Sequence, residues 1–578
     1  MTTTLDFESL VDADSLGVAI GNQWREWDTF RSSWIEQTKE LRNYVYATDT
    51  TTTGNAILPW SNTTTTPKLT QIYDNLNANY FATLFPSQDW MRWEADDADA
   101  AKKKKRDIIQ AYMENKVRQS NFVNTSYNLL SDWVLYGNCF AMVDWVDNYK
   151  FMEDGAFVPQ YTGPMLSRIS PYDIVFNPAA TSFKASPKVV RSIKSLGEIK
   201  RMIDADPENA HYQDVFDKMM RARTGVRSGE GHINKADGFV ADGFSDIQQY
   251  YNSDFVEILT FYGDIYDEDS GDLHVDRIIT VVDRAHVLSN EENPSWLGES
   301  PIFHSGWRVR PDNLYAMGPL DNLVGMQYRI DHLENLKADV FDQIAYPVVK
   351  IRGDVEDFDF EPGARIYMGE EGDVDYLRPD GTALQADLQI REIEFKMEEM
   401  AGAPKQAMGM RTPGEKTAFE VQSLENSASR IFEHKTAHFE RTFLEPILNT
   451  MLEMARRNMN HSDTVRLLKD GVAVFQTITK EDITAKGQIR PVGARHFAER
   501  ARRIQNLTQL FQIKVADPTV APHLSGKEIA RILAEELGEA SIFGENIGVE
   551  EQLETQQSTQ NADAINQESL MAAAEEGI

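Results

Sequence analysis

The sequence predicts an α+β chain, and three observations carry that prediction. Long stretches repeat apolar residues at three- and four-residue spacings, as in Leu320, Leu323, Met326, Ile330, Leu333, Leu336, Val340 and Ile344, which is the period of an amphipathic helix. Between about 140 and 310 the period changes to short β-branched and aromatic runs separated by Gly, Pro, Asn and Asp. The two kinds of pattern then alternate in blocks, with small strand-rich pieces set between long helices. With 578 residues, 41% hydrophobic and 26% charged, the chain can bury sizeable cores and three or four structural units are expected.

From the N-terminus, Trp24, Trp27, Phe30, Trp34 and Leu41 read as one amphipathic helix within residues 8–46. A Thr-rich loop follows, and Leu69, Ile72, Leu76, Tyr80 and Leu84 mark the next helix, ending at Phe85-Pro86. The basic run Lys102 to Arg106 reads as a solvated helix face, because Asp96, Asp97 and Asp99 precede it. Strand patterns occupy Phe140–Val146, Ile174–Phe176, Val256–Phe261, Arg277–Val282 and Ile302–Trp307, with a helical insertion near 195–222 and a Gly-rich mobile loop at Ser228–Gly243.

After Pro319 a helix of about 26 residues runs to Pro347. Three short strands follow (Val348–Ile351, Ala364–Met368, Val374–Leu377), then a second helix from Leu384 to Ala401 and a Gly- and Pro-interrupted loop. Thr417 and Glu420 have capping-box spacing and open a long helix with a kink expected at Pro446. Strands at Val472–Ile478 and Ile489–Val492, helices at about 497–515 and 526–538, and an acidic flexible tail from 546 complete the chain.

Composition narrows the function. Lys plus Arg number 58 against 91 Asp plus Glu, a formal net charge of −33, which argues against tight non-specific DNA binding. No apolar stretch is long enough for a membrane span, and no secretory signal pattern opens the sequence. The single cysteine, Cys139, fits a reducing cytosol and a buried structural thiol.

No catalytic, cofactor or metal constellation is assigned. Gly409 to Thr417 approaches a P-loop, but Glu415 precedes Lys416 where phosphates would lie, and a helix precedes the loop in place of a strand. His434 and His438 share a helix face without the Glu of a zinc-protease pair. Asp264, Asp267, Glu268, Asp269 and Asp272 read as a hairpin turn, since Gly271 and Ile278 are out of register for a calcium loop. His304, His332 and Asp331 lack a nucleophile partner.

Several strings, in order, resemble the portal (head-to-tail connector) proteins of tailed double-stranded DNA bacteriophages over roughly residues 20–540. They are Pro67-Lys68-Leu69 through Asp74-Asn75-Leu76, Ala82-Thr83-Leu84-Phe85-Pro86, Ser170-Pro171-Tyr172-Asp173-Ile174-Val175-Phe176-Asn177-Pro178, Tyr315-Ala316-Met317-Gly318-Pro319-Leu320 and Thr417-Ala418-Phe419-Glu420-Val421. The resemblance implies a portal-type fold: a mixed α/β wing (1–318 and 417–496), a two-helix stem (319–345 and 383–402) and a small β-rich clip (346–382). It further implies a tunnel loop (403–416) and a helical crown (497–545), after which comes the acidic tail (546–578) read from composition.

The same resemblance implies a non-enzymatic dodecamer at one capsid vertex through which viral double-stranded DNA is packaged, retained and ejected. It implies no cofactor. Its partners would be the terminase large subunit, the major capsid and scaffolding proteins and a tail adaptor, with assembly in the host cytoplasm before incorporation into the virion. Lys405, Met408, Met410, Arg411 and Lys416 would be the tunnel-loop residues touching DNA. Asp331, Glu334, Asp387, Glu394 and Glu398 are the candidates for an acidic stem that lets a duplex slide. Asp354, Glu356, Asp357, Glu370 and Glu371 would make the clip an acidic docking surface for basic partners. The alternatives are another oligomeric virion protein, such as a head-tail adaptor, or a nucleotide-dependent enzyme using the 409–417 loop.

Overall fold

The computed structural model describes residues 4–7, 13–46, 62–86, 90–96, 100–151, 157–205, 210–227, 255–293, 300–356, 365–377, 381–401, 431–460, 462–469, 472–491 and 506–510. The chain divides into two compact units, Met1–Ser462 with Thr479–Gly493, and Asp463–Ile478 with Ala494–Ile578. It is a mixed helix-and-strand protein, as the two periodicities predict.

In the first unit, strand β1 (Leu5–Phe7) precedes helices α1 (Ala13–Phe30), α2 (Ser32–Val45) and α3 (Lys68–Leu84). The single helix expected over 8–46 is therefore two. The break falls at Arg31, whose buried guanidinium donates to the carbonyls of Pro171, Tyr172 and Ile174 at 2.7 Å each. A buried cation with three backbone acceptors is a tertiary requirement that no periodicity reveals.

The next elements are β2 (Met91–Ala95), α4 (Ala100–Gln119), α5 (Phe122–Tyr136), β3 (Asn138–Phe151), β4 (Phe157–Ile169), β5 (Ile174–Phe176) and β6 (Lys188–Ser195). They continue with α6 (Leu196–Ala205), α7 (Ala210–Arg227), β7 (Phe255–Asp267), β8 (Leu273–Val282) and β9 (His286–Glu292). A six-stranded sheet runs β5-β6-β7-β8-β9, with β1 parallel to the end of β7. Alternation along β7 explains its two-sided burial. Leu259 and Phe261 pack with Leu16, Ile20, Trp24 and Trp27 of α1, whereas Val256 and Ile258 pack with Ile199, Ile203, Val215 and Met219 of α6 and α7. Helix α1 lies so close to the β8–β9 turn that a Cβ on Gly17 would sit 2.5 Å from the Ala285 carbonyl oxygen.

A second sheet, ordered β10-β3-β4, includes β10 (Ile302–Gly306) and neighbours the hairpin β11 (Arg308–Arg310) and β12 (Asn313–Met317). Two polar residues interrupt the apolar run here, and the fold treats them oppositely. Asn138, fully buried, donates to the carbonyls of Tyr136 and Ala316 and accepts from the Ala316 amide, so it is a satisfied junction. Gly137 before it has φ +70°, and a Cβ there would meet Gly318 N at 2.3 Å.

Asp144 has no such compensation, and burial alone raises its carboxyl pKa to about 6. A folded pKa above the unfolded value of about 3.9 means that the unfolded chain gives up this proton first. Stability from this group is fully present below about pH 4 and falls as pH rises through 6. Asp144→Asn is expected to flatten that decline and to stabilise the protein at pH 8 by about 1–3 kcal/mol, read from urea midpoints at pH 4, 6 and 8. An unchanged pH profile would remove Asp144 as its source.

The chain then forms α8 (Val324–Ala345) after a 3₁₀ turn at Asp321–Leu323, and the hairpin β13 (Val348–Arg352) and β14 (Asp373–Leu377). A bridge between Val355 and Met368 is what remains of the expected third strand at 364–368. Helix α9 (Asp387–Ala401) follows a 3₁₀ turn at Gly381–Ala386. Residues 431–439 are helical, Glu440–Leu444 is a π turn, and α10 (Glu445–Asn458) continues. The π turn stands where the kink at Pro446 is expected, because proline has no N–H to close the preceding α turn. Helix α11 (Lys480–Ile483) and β17 (Gly487–Pro491) end the first unit, β17 pairing with β2. In the second unit the described residues are the hairpin β15 (Asp463–Lys469) and β16 (Val472–Ile478), and the helical residues 506–510.

Strands β1, β2, β4, β6, β9, β11, β12 and β15 have no counterpart in the sequence prediction. The mobile loop expected at Ser228–Gly243, most of the terminal helices and the tail from 546 lie outside the described residues.

Candidate functional site

The part of the first unit that differs in surface chemistry is the pair of helices α8 and α9 with the hairpin between them. Elsewhere large apolar side chains are mostly buried. On this element Phe341 is 63% exposed, Leu388 76%, Phe395 57% and Tyr346 77%, and Leu336, Ile344, Val348, Ile351, Tyr367, Met368 and Leu377 are exposed as well. Such a concentration of exposed apolar side chains marks an association surface.

The inner side of α8 is held by a polar ladder. Gln327, Asp331, Asn335 and Asp339 follow one another at four-residue steps, so they form a single stripe. Each binds the segment 62–69, an irregular stretch running into the first residues of α3, that lies along it. Gln327 Oε1 accepts from Leu69 N (3.1 Å), and Asp331 Oδ1 accepts from Thr66 N (2.8 Å). Asn335 both accepts from Thr64 N (2.8 Å) and donates to Thr64 O (3.0 Å), and Asp339 accepts from Asn62 N (2.6 Å). The side chains thus replace a neighbouring strand for a backbone that has none. Asn335→Leu is expected to speed hydrogen exchange at the Thr64 amide about tenfold, with Asn335→Asp, which keeps the acceptor, near wild type. Equal exchange in all three proteins would mean that the ladder does not hold the segment.

Helix α9 is tied in by charge. Lys68, the first residue of α3, makes a buried ion pair with Glu398 at 2.6 Å. Nearer the surface, Lys337 of α8 reaches both Glu334 (2.7 Å) and Asp387 (2.8 Å), which raises the lysine pKa and holds the Asp387 carboxyl below its ordinary range.

These contacts revise the acidic stem residues expected from sequence. Asp331 is buried under Thr66 and Gln327, and burial pushes its carboxyl pKa up; Glu398 is buried against Lys68. Both are internal braces and cannot face a channel. Glu334 and Asp387 reach the surface but share Lys337, and Glu394 is half-exposed on α9. The sequence reading missed Lys68, Gln327 and Asn335. A polar stride at four-residue steps, 327, 331, 335 and 339, was the readable signal for the last two.

In the hairpin region Asp354, Glu356, Glu370 and Glu371 are exposed, and Asp357 lies outside the described residues. So do Lys405, Met408, Met410, Arg411 and Lys416, together with the P-loop-like stretch 409–417. Of the basic run at 102–106, Lys105 donates to the carbonyls of Glu481 (2.8 Å) and Thr484 (3.1 Å), capping α11. The cluster at 264–272 is a hairpin turn, where buried Asp267 accepts from the amides of Asp269 and Ser270. His304 stacks on Phe140 with ring centroids 4.8 Å apart, and burial lowers its pKa to about 3, so it is neutral. The Cys139 thiol is buried and its pKa raised by burial, which makes it a poor nucleophile. Among the described residues no three His, Cys, Asp or Glu side chains gather as a metal site, and no helix is long and apolar enough to cross a membrane.

No protein-family profile matches the chain, and no curated protein matches it.

Proposed function

We propose that the chain is the subunit of a ring-shaped phage portal, a non-enzymatic conduit for double-stranded DNA. The observation that carries this reading is the exposed apolar surface of the α8–hairpin–α9 element, whose inner side is already braced by the 62–69 segment and Lys68. Copies of the chain standing side by side would cover that surface, and a ring leaves none of it open. In this reading α8 and α9 are the stem, residues 346–382 the clip, 403–416 the tunnel loop, 497–545 the crown, and 1–318 with 417–496 the wing.

The charge pattern supports a conduit. The half-exposed Glu394, with the lysine-shared Glu334 and Asp387, would face a duplex with repulsion that is weak at every angle and screened within about 10 Å at 0.1 M salt. A duplex could then slide without settling. The exposed acids of the clip, Asp354, Glu356, Glu370 and Glu371, suit basic surfaces of the terminase large subunit and later of a tail adaptor. Capsid and scaffolding proteins would surround the wing.

Mass photometry and negative-stain imaging of the full-length protein test this. The expected result is closed rings of about twelve subunits. Phe341→Ser with Leu388→Ser should abolish rings while circular dichroism stays native, since both side chains are exposed within the subunit. A monomer at every concentration would overturn the reading.

A further inference from the structure

A cluster of cations without carboxylate partners stands out in this acidic chain. Lys435 donates to the Trp307 carbonyl and holds its ammonium 4.3 Å from the centre of the Trp307 ring, and Arg308 lies 5.2 Å from the same ring centre. Ser305 bonds Thr442 at 3.2 Å, so the β10–β11 corner lies along the helical segment 431–444. On the outward side of that segment Ile431, His434, His438 and Arg441 form one stripe at three- and four-residue steps. No carboxylate pairs with Arg308, His434, Lys435, His438 or Arg441 among the described residues. Burial first, and repulsion from the neighbouring cations second, lowers the pKa of Lys435 and His438. Of the acids nearby, Asp321 is buried against the Gly318 amide and feels the charges of Arg310 and Arg308 without an ion pair, Glu440 is buried, and Glu433 lies on the other side of the helix.

The patch is also apolar. Val309, between Arg308 and Arg310, is 60% exposed, and Ile431 is 56% exposed. Phosphates offer nothing to such side chains, so the fitting partner is a protein surface that is both acidic and apolar. The chain displays one. On α9, opposite the face that buries Ile390 and Met397, Leu388, Glu392, Phe395 and Glu399 form a stripe about 16 Å long, against about 15 Å for Ile431 to Arg441, with Glu392 also taking the exposed Lys396 at 2.7 Å. A ring closes when two different patches of the same chain meet on neighbouring copies.

We propose that the basic patch of Arg308, Val309, Ile431, His434, His438 and Arg441 docks on the α9 stripe Leu388–Glu392–Phe395–Glu399 of a second copy of this chain. This rests on the ring reading, naming the two faces that meet. It accounts for apolar residues exposed on both patches and for cations left unpaired within one copy.

Charge exchange in the full-length protein tests it. Arg308→Glu with Arg441→Glu, and separately Glu392→Lys with Glu399→Lys, should each raise the concentration for half-assembly at least about tenfold. The four changes together should restore rings, because opposite charges again face each other. If the first pair lowers the native circular dichroism signal, Arg308→Ala with Arg441→Ala replaces it. Rings unaffected by either pair, or not restored by all four, would overturn the inference while leaving the ring reading intact. A wild type that forms no ring overturns both. Fluorescence anisotropy with a 20-base-pair duplex, about two helical turns, supplies the remaining arm. Loss of duplex binding by the Arg308 and Arg441 variants, with assembly unchanged, would assign the patch to nucleic acid and overturn the inference.

Discussion

Glu398→Ala is expected to destabilise the first unit by about 3–5 kcal/mol, measured as a shift of the urea midpoint. The reason is the charge left behind. Glu398 and Lys68 are both buried, 2.6 Å apart, and removing the carboxylate strands an ammonium whose remaining side-chain acceptor is Gln71 at 3.0 Å. Lys68→Met with Glu398→Leu should recover most of the loss, because two apolar side chains of similar volume need no partner. Lys68 opens α3 and Glu398 lies near the end of α9, so the single variant should also loosen the end of α9 in hydrogen exchange. A shift below about 1 kcal/mol would show that solvent reaches the pair. In the proposed ring the experiment also separates a brace from a channel residue, since an acid facing a lumen would leave subunit stability alone.

Trp133→Ala is expected to cost a similar amount, about 3–5 kcal/mol. Trp133 is fully buried and meets Tyr80 edge-on at 5.2 Å, Phe439 at 4.9 Å and Trp307 at 6.5 Å. These rings come from α5, α3, the 431–439 segment and the β10–β11 corner, four places far apart in sequence that are joined through one side chain. Alanine would leave a cavity that so many rigid elements cannot all close. Trp133→Phe should cost less than half as much, since the indole N–H is buried without a partner and nothing polar is lost with it. Equal losses for Ala and Phe would place the energy in the indole edge and not in the ring contacts. Near-ultraviolet circular dichroism alongside the denaturation curves distinguishes local loosening from global unfolding.

The candidate site was legible in parts. Exposed and buried acids look alike in a sequence: Asp331, Glu334, Asp387, Glu394 and Glu398 all sit on helical patterns, and only packing separates Asp331 and Glu398 as braces from the other three. The basic patch was hidden for a related reason. Arg308 and Arg441 are more than 130 residues apart in the chain, and the packing of Trp307 on Lys435 brings the elements that carry them together.

By itself the sequence determined the mixed class, the helices α3 and α8, and strands β3, β5, β7, β8 and β10 of the 140–310 region. Those depend on side-chain period, a local property that burial on one face imposes on the chain whatever lies opposite. Tertiary structure alone decided that β1 joins β7, that β2 finds β17 and that the first long helix breaks at Arg31 over three carbonyls. It also decided which polar residues of α8 face the 62–69 segment. Strands this short carry too few residues to show a period. A buried charge or amide is placed by the long-range acceptors it must satisfy, and those partners are brought near only when the chain has folded.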